Sequence, residues 1–369
     1  MAGSRKSPST DPLKAVAAAF SRTVQPGHSL TVALSGGIDS VVLLDAVRRL
    51  RERFSCCLQA LHVDHGLSNF SAEWAAFCAR LCGQWEIPLR VASVRVDRAS
   101  GRGLEAAARE ARYGVLASAG TDWLLTAHNR DDQIETVFLN LLRGAGPRGL
   151  AGMPVVQGQA LRRQGCPKLL RPLLDVPREA ILAYARQRGL EWVEDDTNRE
   201  TDLRRNFLRH EILPPLARKF PGFAAPLLRG ARWSAEAAEL LDVLAAGDLE
   251  RHGDDDGRLD VGALASLDEA RSRNLLRYWL RGHGLRAPDA ARLAEILRQL
   301  TSAAADAALC IDVDGRAVRR YGGWAVVVSM NPPQPPPEAP WNGEARMPWG
   351  GGAVVFQLVR GDGIQASRL

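Results

Sequence analysis

The sequence predicts an α/β fold: an open parallel sheet covered by helices, followed by a mainly helical domain and a short C-terminal segment. Three observations carry that expectation. Between Leu30 and Thr126, short β-branched or leucine-rich runs alternate with amphipathic stretches, the pattern of a parallel sheet with crossover helices. From about Pro221 to Leu300, alanine, leucine and arginine dominate and strand signals are few. The stretch Asn331–Pro340, NPPQPPPEAP, is too proline-dense for anything but extended or polyproline-like chain, and so reads as a linker.

Taken in order, residues 1–25 form an N-terminal tail and helix, and a catalytic-type domain spans 26–219. Its candidate strands are Leu30–Leu34, Leu58–Val63, Leu89–Val96 and Trp123–Ala127. Between them Val41–Leu50, Ala72–Trp85 and Leu104–Ala117 repeat apolar residues at spacings of three and four, which predicts helices. The mainly helical domain spans 220–330. Glu236–Ala246 and Ala290–Leu300 are its clearest amphipathic helices, and Ala308–Ile311 with Ala325–Val328 suggests a small hairpin or sheet. The linker covers 331–346. Residues 347–369 hold one strand-like run, Ala353–Val359, too little to fold alone, and read as the incomplete start of a third domain.

A chain of 369 residues with 46% hydrophobic and 24% charged residues is ordinary for a globular protein and excludes disorder as the default. Lys and Arg number 48 against 42 Asp and Glu, a net charge of +6. That excess suits a nucleic-acid partner and equally a solvated cationic surface. The opening MAGSRKSPST has no apolar run behind it, and no uninterrupted apolar stretch reaches about 18 residues, so neither a signal peptide nor a membrane span is expected. The six cysteines are scattered without CxxC pairs. This predicts a reduced, cytoplasmic protein without zinc, in which Cys78 and Cys82, one helical turn apart, are buried thiols.

The strongest local signal is the passage from Leu30–Leu34 through Ser35, Gly36, Gly37, Ile38, Asp39 and Ser40 into an apolar-faced helix. Such a turn aims backbone N–H groups and a helix N-terminus at an anion. The glycines let the backbone approach phosphate closely, and the serines add hydroxyl donors. Asp39 is out of place in a phosphate cradle unless it coordinates a magnesium ion held by the same phosphates. A strand-to-helix turn merely capped by Ser40 is the bland alternative. Residues Gly144–Gly149 match GxGxxG but follow a helix and contain Pro147, the wrong setting for a dinucleotide.

The string SGGxDS after a first strand resembles the loop of the PP-loop, or N-type ATP pyrophosphatase, superfamily. Its members cleave ATP between the α and β phosphates and adenylate a carbonyl oxygen, which a nitrogen or sulfur nucleophile then displaces. Further strings resemble the lysidine synthetases within it. His62-Val63-Asp64-His65-Gly66-Leu67 ends the second strand, with His62 and Asp64 facing alike. Arg109 and Arg112, in ALA-ARG-GLU-ALA-ARG-TYR order from Ala108 to Tyr113, share a helix face. Thr126–Thr136, with His128, Asn129, Asp132 and Glu135, resembles AHHxDDQxET, except that Asn129 stands where a second histidine is common. Arg143-Gly144 opens a glycine-rich stretch to Met153, and Arg171-Pro172-Leu173-Leu174, Glu194–Asn198 and Arg205-Asn206-Phe207-Leu208-Arg209 extend the match.

The resemblance implies ATP as cosubstrate with Mg2+, a tRNA(Ile) bearing a CAU anticodon and L-lysine as partners, and no membrane; a homodimer is compatible with it. It implies that His128 and Asp132 serve adenylation, that Glu135 holds or orients lysine, and that Arg109 and Arg112 face nucleotide and phosphate. Ser35 to Ser40, His62 and Asp64 would bind ATP. Arg143, Arg205, Asn206 and Arg209 would meet tRNA. Arg205 and Arg209, four apart, repel one another unless an anion sits between them; an RNA phosphate would serve, and a solvated basic helix is the alternative. The glycine-rich loop is expected to be mobile and substrate-facing. A PP-loop cytidine thiolase, a PP-loop amidotransferase and a catalytically inactive RNA-binding relative are the rivals. The first would be expected to use a cysteine-bound iron–sulfur cluster, and no CxxC is present.

Overall fold

The computed structural model describes residues 10–64, 66, 70–94, 111–112, 114–158, 166–194, 204–304, 309–330, 343–349 and 352–356. They divide into two compact units, Met1–Leu244 and Ala245–Leu369.

The first unit opens with helix α1 (Pro12–Thr23), which Asp11 caps by accepting from the Leu13 N–H at 2.9 Å. Strands β1 (Ser29–Ala33), β2 (Cys57–Asp64), β3 (Leu89–Ser93), β4 (Trp123–Leu125), β5 (Val156–Gln157) and β6 (Lys168–Leu170) form one sheet in the order β3-β2-β1-β4-β6-β5. All neighbours run parallel except β5 with β6. Helices α2 (Ile38–Leu50), α3 (Ser71–Gln84), α4 (Arg130–Leu142), α5 (Pro147–Leu150) and α6 (Arg178–Gln187) follow the strands and loops. The four expected strands are present within two or three residues of their predicted ends, and the first two interstrand helices likewise. Of the third, Leu104–Ala117, residues 111–112 and 114–117 are helical; the rest lies outside the described residues.

β1 and the middle of α2 are rich in apolar residues because they lie in the core: Leu30, Val32, Leu43, Leu44, Ala46 and Val47 are fully buried with Phe20, Cys78 and Ile181. The chain builds outward from β1 to β3 and then returns to place β4 on the other side of β1. That reversal opens a crevice beyond the C-terminal ends of β1 and β4, where open α/β sheets bind ligands.

After helix α7 (Arg204–Phe207) the backbone widens into a single π-helical turn, Leu208–Ile212, before α8 (Leu213–Lys219). The Leu213 N–H reaches back five residues to the Leu208 carbonyl. Pro214 and Pro215 explain it: they lack N–H groups, and their rings clash with the carbonyls four residues earlier. The long helix α9 (Ala224–His252) contains the predicted Glu236–Ala246 segment.

The second unit packs α10 (Val261–Ser266), α11 (Glu269–Gly282) and α12 (Ala290–Ser302) around Leu275, Leu276, Trp279, Leu280, Leu293 and Ile296. The strands hinted at in the sequence amount to a four-stranded antiparallel sheet, ordered β7-β10-β9-β8, from β7 (Leu259–Asp260), β8 (Cys310–Val313), β9 (Arg316–Tyr321) and β10 (Trp324–Ser329). Its inward side chains Ile311, Val313, Val318 and Ala325 join the helical core. Strands β11 (Arg346–Trp349) and β12 (Gly352–Val355) pair as a separate hairpin. No helix among the described residues is long and apolar enough to cross a membrane.

Candidate active site

The loop after β1 is held in shape by its own serines. Ser40 Oγ donates to the Gly37 carbonyl at 2.8 Å and accepts from the Ser35 N–H at 3.2 Å, while Ser35 Oγ lies 3.1 Å from it and accepts from the Gly37 N–H at 3.3 Å. Gly36 has φ +89°, and a Cβ there would sit 2.8 Å from Val193 Cγ2, so glycine is required twice over. The Val193 N–H donates to the Gly36 carbonyl at 3.0 Å and fastens the loop from outside. Gly37 is the N-cap of α2, and Ile38 is buried at its first turn.

Three helix N-termini meet beside this loop. Asn129 caps α4: its Oδ1 accepts from the Asp131 and Asp132 N–H groups at 2.9 and 3.1 Å, and its own N–H donates to Asp132 Oδ2 at 2.9 Å. Its Nδ2 donates across to Asp39 Oδ1, in the first turn of α2, at 3.0 Å. Asp131 Oδ2 in turn accepts from the Arg178 N–H at the start of α6, and the Arg178 guanidinium stands 3.7 Å from Asp39 Oδ2. Converging helix N-termini make a positive place suited to phosphate. Burial pushes the Asp39 carboxyl above its ordinary pKa; Arg178 opposes that, the neighbouring Asp132 charge adds to it, and the Asn129 hydrogen bond opposes it again.

One turn further along α4, Glu135 is 1% exposed between two arginines. Arg205 Nε donates to Oε2 and Arg209 Nε to Oε1, each at 2.6 Å, and Arg209 Nη2 reaches Oε2 at 3.1 Å. Both guanidinium groups also approach Asp132 Oδ1, at 3.6 and 3.5 Å. Burial works against the charge on Arg209, but Glu135 outweighs it, with Asp132 and Asp39 adding, and its pKa is raised. The anion between the two arginines in this structure is therefore a carboxylate of the chain itself, Glu135.

The other predicted residues fall around this network. His62 is buried, with Nδ1 2.9 Å from the Leu34 carbonyl, and braces β1 just ahead of the loop. Asp64 Oδ1 accepts from the Gly66 N–H at 2.8 Å and shapes the turn after β2. His128 immediately precedes the helix cap, with Nδ1 2.9 Å from Thr126 Oγ1. Arg143 is exposed at the end of α4, Asn206 is buried, and Arg112 is partly buried. Arg109 lies outside the described residues.

The glycine-rich loop is tied to α4 by two side chains. Gln133 pairs its amide with the backbone of Met153, accepting from N–H at 2.8 Å and donating to O at 3.0 Å, and Asn140 Nδ2 donates to the Gly149 carbonyl at 2.7 Å. Both side chains come from α4, which thus carries the loop on its back. A Cβ on Gly152, at φ +69°, would run into Gln133 at 2.7 Å.

Asn129 and Arg178 went unrecognised in the sequence. Asn129 was visible only as a departure from a motif. Arg178 did carry a signal: an arginine in the first turn of a helix opposes the dipole, and so points to acidic neighbours elsewhere.

Comparison with known proteins agrees with this geometry. The PP-loop domain family matches residues 10–216, and the TilS substrate binding domain family matches 259–326. Among solved structures, the U34-tRNA thiolase NcsA from Methanococcus maripaludis superposes with a TM-score of 0.52 over 61% of this chain and 78% of its own, at 18% identity, a likeness of fold alone. The tRNA(Ile)-lysidine synthase of Nitrosomonas europaea is 41% identical over 353 residues, spanning 94% of this chain and 76% of its own. That of Azoarcus sp. is 42% identical over 94% of this chain and 75% of its own, and that of Coxiella burnetii 37% over 94% and 77%. Likeness sustained across so much of both chains, with the phosphate loop and its partner helix intact, shows that the chain belongs to the tRNA(Ile)-lysidine synthase family.

Proposed function

We propose that the chain is a carbon–nitrogen ligase, in the cytoplasm, that uses ATP to convert the wobble cytidine of a CAU-anticodon tRNA(Ile) to lysidine. The observation that supports this most is the phosphate loop joined through Asn129 to the Asp39–Asp132 carboxylates at the open end of the sheet. In the first step the 2-carbonyl oxygen of cytidine attacks the α-phosphorus of ATP, a P–O bond forms, and the bond to pyrophosphate breaks. The loop from Ser35 to Ser40 holds the phosphates, with the N-termini of α2, α4 and α6 favouring the charge that develops on the leaving group. His128, Arg109 and Arg112 serve the nucleotide.

The donor set fits magnesium: Asp39 and Asp132, two mutually repelling carboxylates, offer hard oxygens, and a cation between them would relieve the repulsion. When bound, the ion supplies charge neutralisation at the departing pyrophosphate.

In the second step the lysine ε-nitrogen attacks C2 of the base, the C–N bond forms, and AMP leaves with the former carbonyl oxygen. The ε-ammonium must first lose a proton. Asp132, 19% exposed, is more open to it than Glu135, 1% exposed and already paired with two arginines; Glu135 acts on lysine by exchanging one of those partners. Phosphate contacts for tRNA come from exposed Arg143 and, in the second unit, from the arginines of α11. Mass spectrometry of tRNA nucleosides after incubation with ATP and lysine tests the reading. Lysidine in place of one cytidine is expected, and cytidine left unmodified under those conditions overturns it.

A further inference from the structure

We propose that Asn129 is a positioning residue for Asp39, setting the spacing between the phosphate-loop helix and α4 in addition to capping α4. The residue is 1% exposed and every polar atom it has is committed. Its Oδ1 takes two N–H groups of the helix, its N–H holds Asp132, its carbonyl accepts from the Gln133 N–H at 3.1 Å, and its Nδ2 holds Asp39.

The orientation of the amide follows from its chemistry. Only the oxygen can accept from the helix N–H groups, so the nitrogen must face the Asp39 carboxylate. Among the residues that cap helices well, the amide alone can do both jobs. Aspartate would cap, yet would set a third carboxylate against Asp39 and Asp132. Serine would cap, yet carries no group long enough to reach Asp39. A neutral histidine ring offers one acceptor and one N–H donor, and so can reproduce the pair of contacts.

The inference matters because Asp39 and Asp132 sit on different helices and repel one another. Asn129 hydrogen-bonds to both, one through its side chain and one through its backbone, and so ties the two carboxylates together through a single residue. Without the amide, the Asp39 side chain is held from one side only, by Arg178 at 3.7 Å.

The test uses the full chain and rests on the adenylation reading, so the unaltered protein must first release pyrophosphate in a tRNA-dependent way; failure there breaks that reading and not this proposal. Asn129→Ser keeps a cap and removes the donor. It is expected to lower pyrophosphate release about 10–100-fold, the usual effect of losing a residue that orients a ligand. It should also raise the magnesium concentration needed for ATP binding in equilibrium dialysis, with Tm close to that of the parent. Asn129→Ala is expected to show the same loss with a lower Tm. Asn129→His is expected to recover most of what serine loses. The proposal is overturned if Asn129→Ser keeps the parental turnover and magnesium requirement, or if it lowers Tm as far as Asn129→Ala, because capping would then account for the residue.

Discussion

Two sets of arginines in this chain share a four-residue spacing and have opposite surroundings. Arg205 and Arg209 close on the Glu135 carboxylate, 70 and 74 residues away in sequence. On α11, Arg273, Arg277 and Arg281 stand one turn apart; Arg273 pairs with Glu269, but half-buried Arg277 has no partner among the described residues. Burial, then Arg281 and Arg273, push the Arg277 pKa below its ordinary value. The spacing alone announces repulsion and says nothing of how it is relieved. In the first set a buried carboxylate relieves it and the arginines become part of the frame around Asp132. In the second the repulsion is left for solvent or an anionic ligand.

The sharpest way to break this contrast is Glu135→Ala. Removing one partner of a buried ion pair costs about 3–5 kcal/mol, and since each arginine keeps 25% of its side-chain surface in water, about 2–3 kcal/mol is expected here. A urea titration showing no loss would mean that the clamp does not hold the fold. The same variant therefore confounds stability with lysine transfer, and Glu135→Gln, which keeps the shape, is the cleaner probe of chemistry.

Asp45 is a third instance, fully buried beneath Arg48, Arg49 and the Tyr184 hydroxyl at 2.7, 2.8 and 2.8 Å. Burial raises its carboxyl, but the hydrogen bonds from Arg49, Arg48 and Tyr184 outweigh that and hold it below the ordinary value of 3.8. A depressed folded-state pKa gives stability that is present above 3.8 and lost as pH falls through the lower folded value. Thermal melts of the parent and Asp45→Asn should therefore differ by a constant amount at neutral pH and narrow only as the pH falls below 3.8. Parallel curves would remove Asp45 from the account.

Arg209→Met is expected to cost about 1–2 kcal/mol, less than Glu135→Ala, because Arg205 still neutralises the carboxylate. A double-mutant cycle with Glu135→Gln should give a coupling energy above about 0.5 kcal/mol, and additivity would contradict the clamp. The smallest effect belongs to Arg277→Gln. With no partner to lose, its Tm should stay level or rise slightly, while tRNA binding should weaken with a salt slope shallower by about one. An unchanged slope would leave that arginine to solvent.

The elements built on long apolar runs were legible: β1, β2, α2 and α4 carry their periodicity in the chain, and the phosphate loop its glycines. Strands β5 and β6, two and three residues long, are too short to show a period and exist only because β4 offers an edge. The sheet of the second unit was visible only as fragments at Ala308–Ile311 and Ala325–Val328. At the site, the acidic residues could be found and their partners could not. Nothing local joins Asn129 to Asp39, 90 residues earlier, or Glu135 to Arg205. His62 and Asp64 were placed at the end of β2 by the resemblance, but the contact of His62 Nδ1 with the Leu34 carbonyl, 28 residues away, could not be read from the chain.

The widened turn at Leu208–Ile212 also governs which changes of length the chain can absorb. A π turn holds one residue more than an α-helix needs to cover the same path. Deleting His210 would take out that surplus residue and leave the side chains beyond it facing as they do now, whereas inserting a residue there would swing them by about 100° about the axis. The stretch from Leu208 to Ile212 should therefore absorb the loss of a residue better than the gain of one, since only the gain misdirects the chain leaving the site while Arg205 keeps its hold on Glu135.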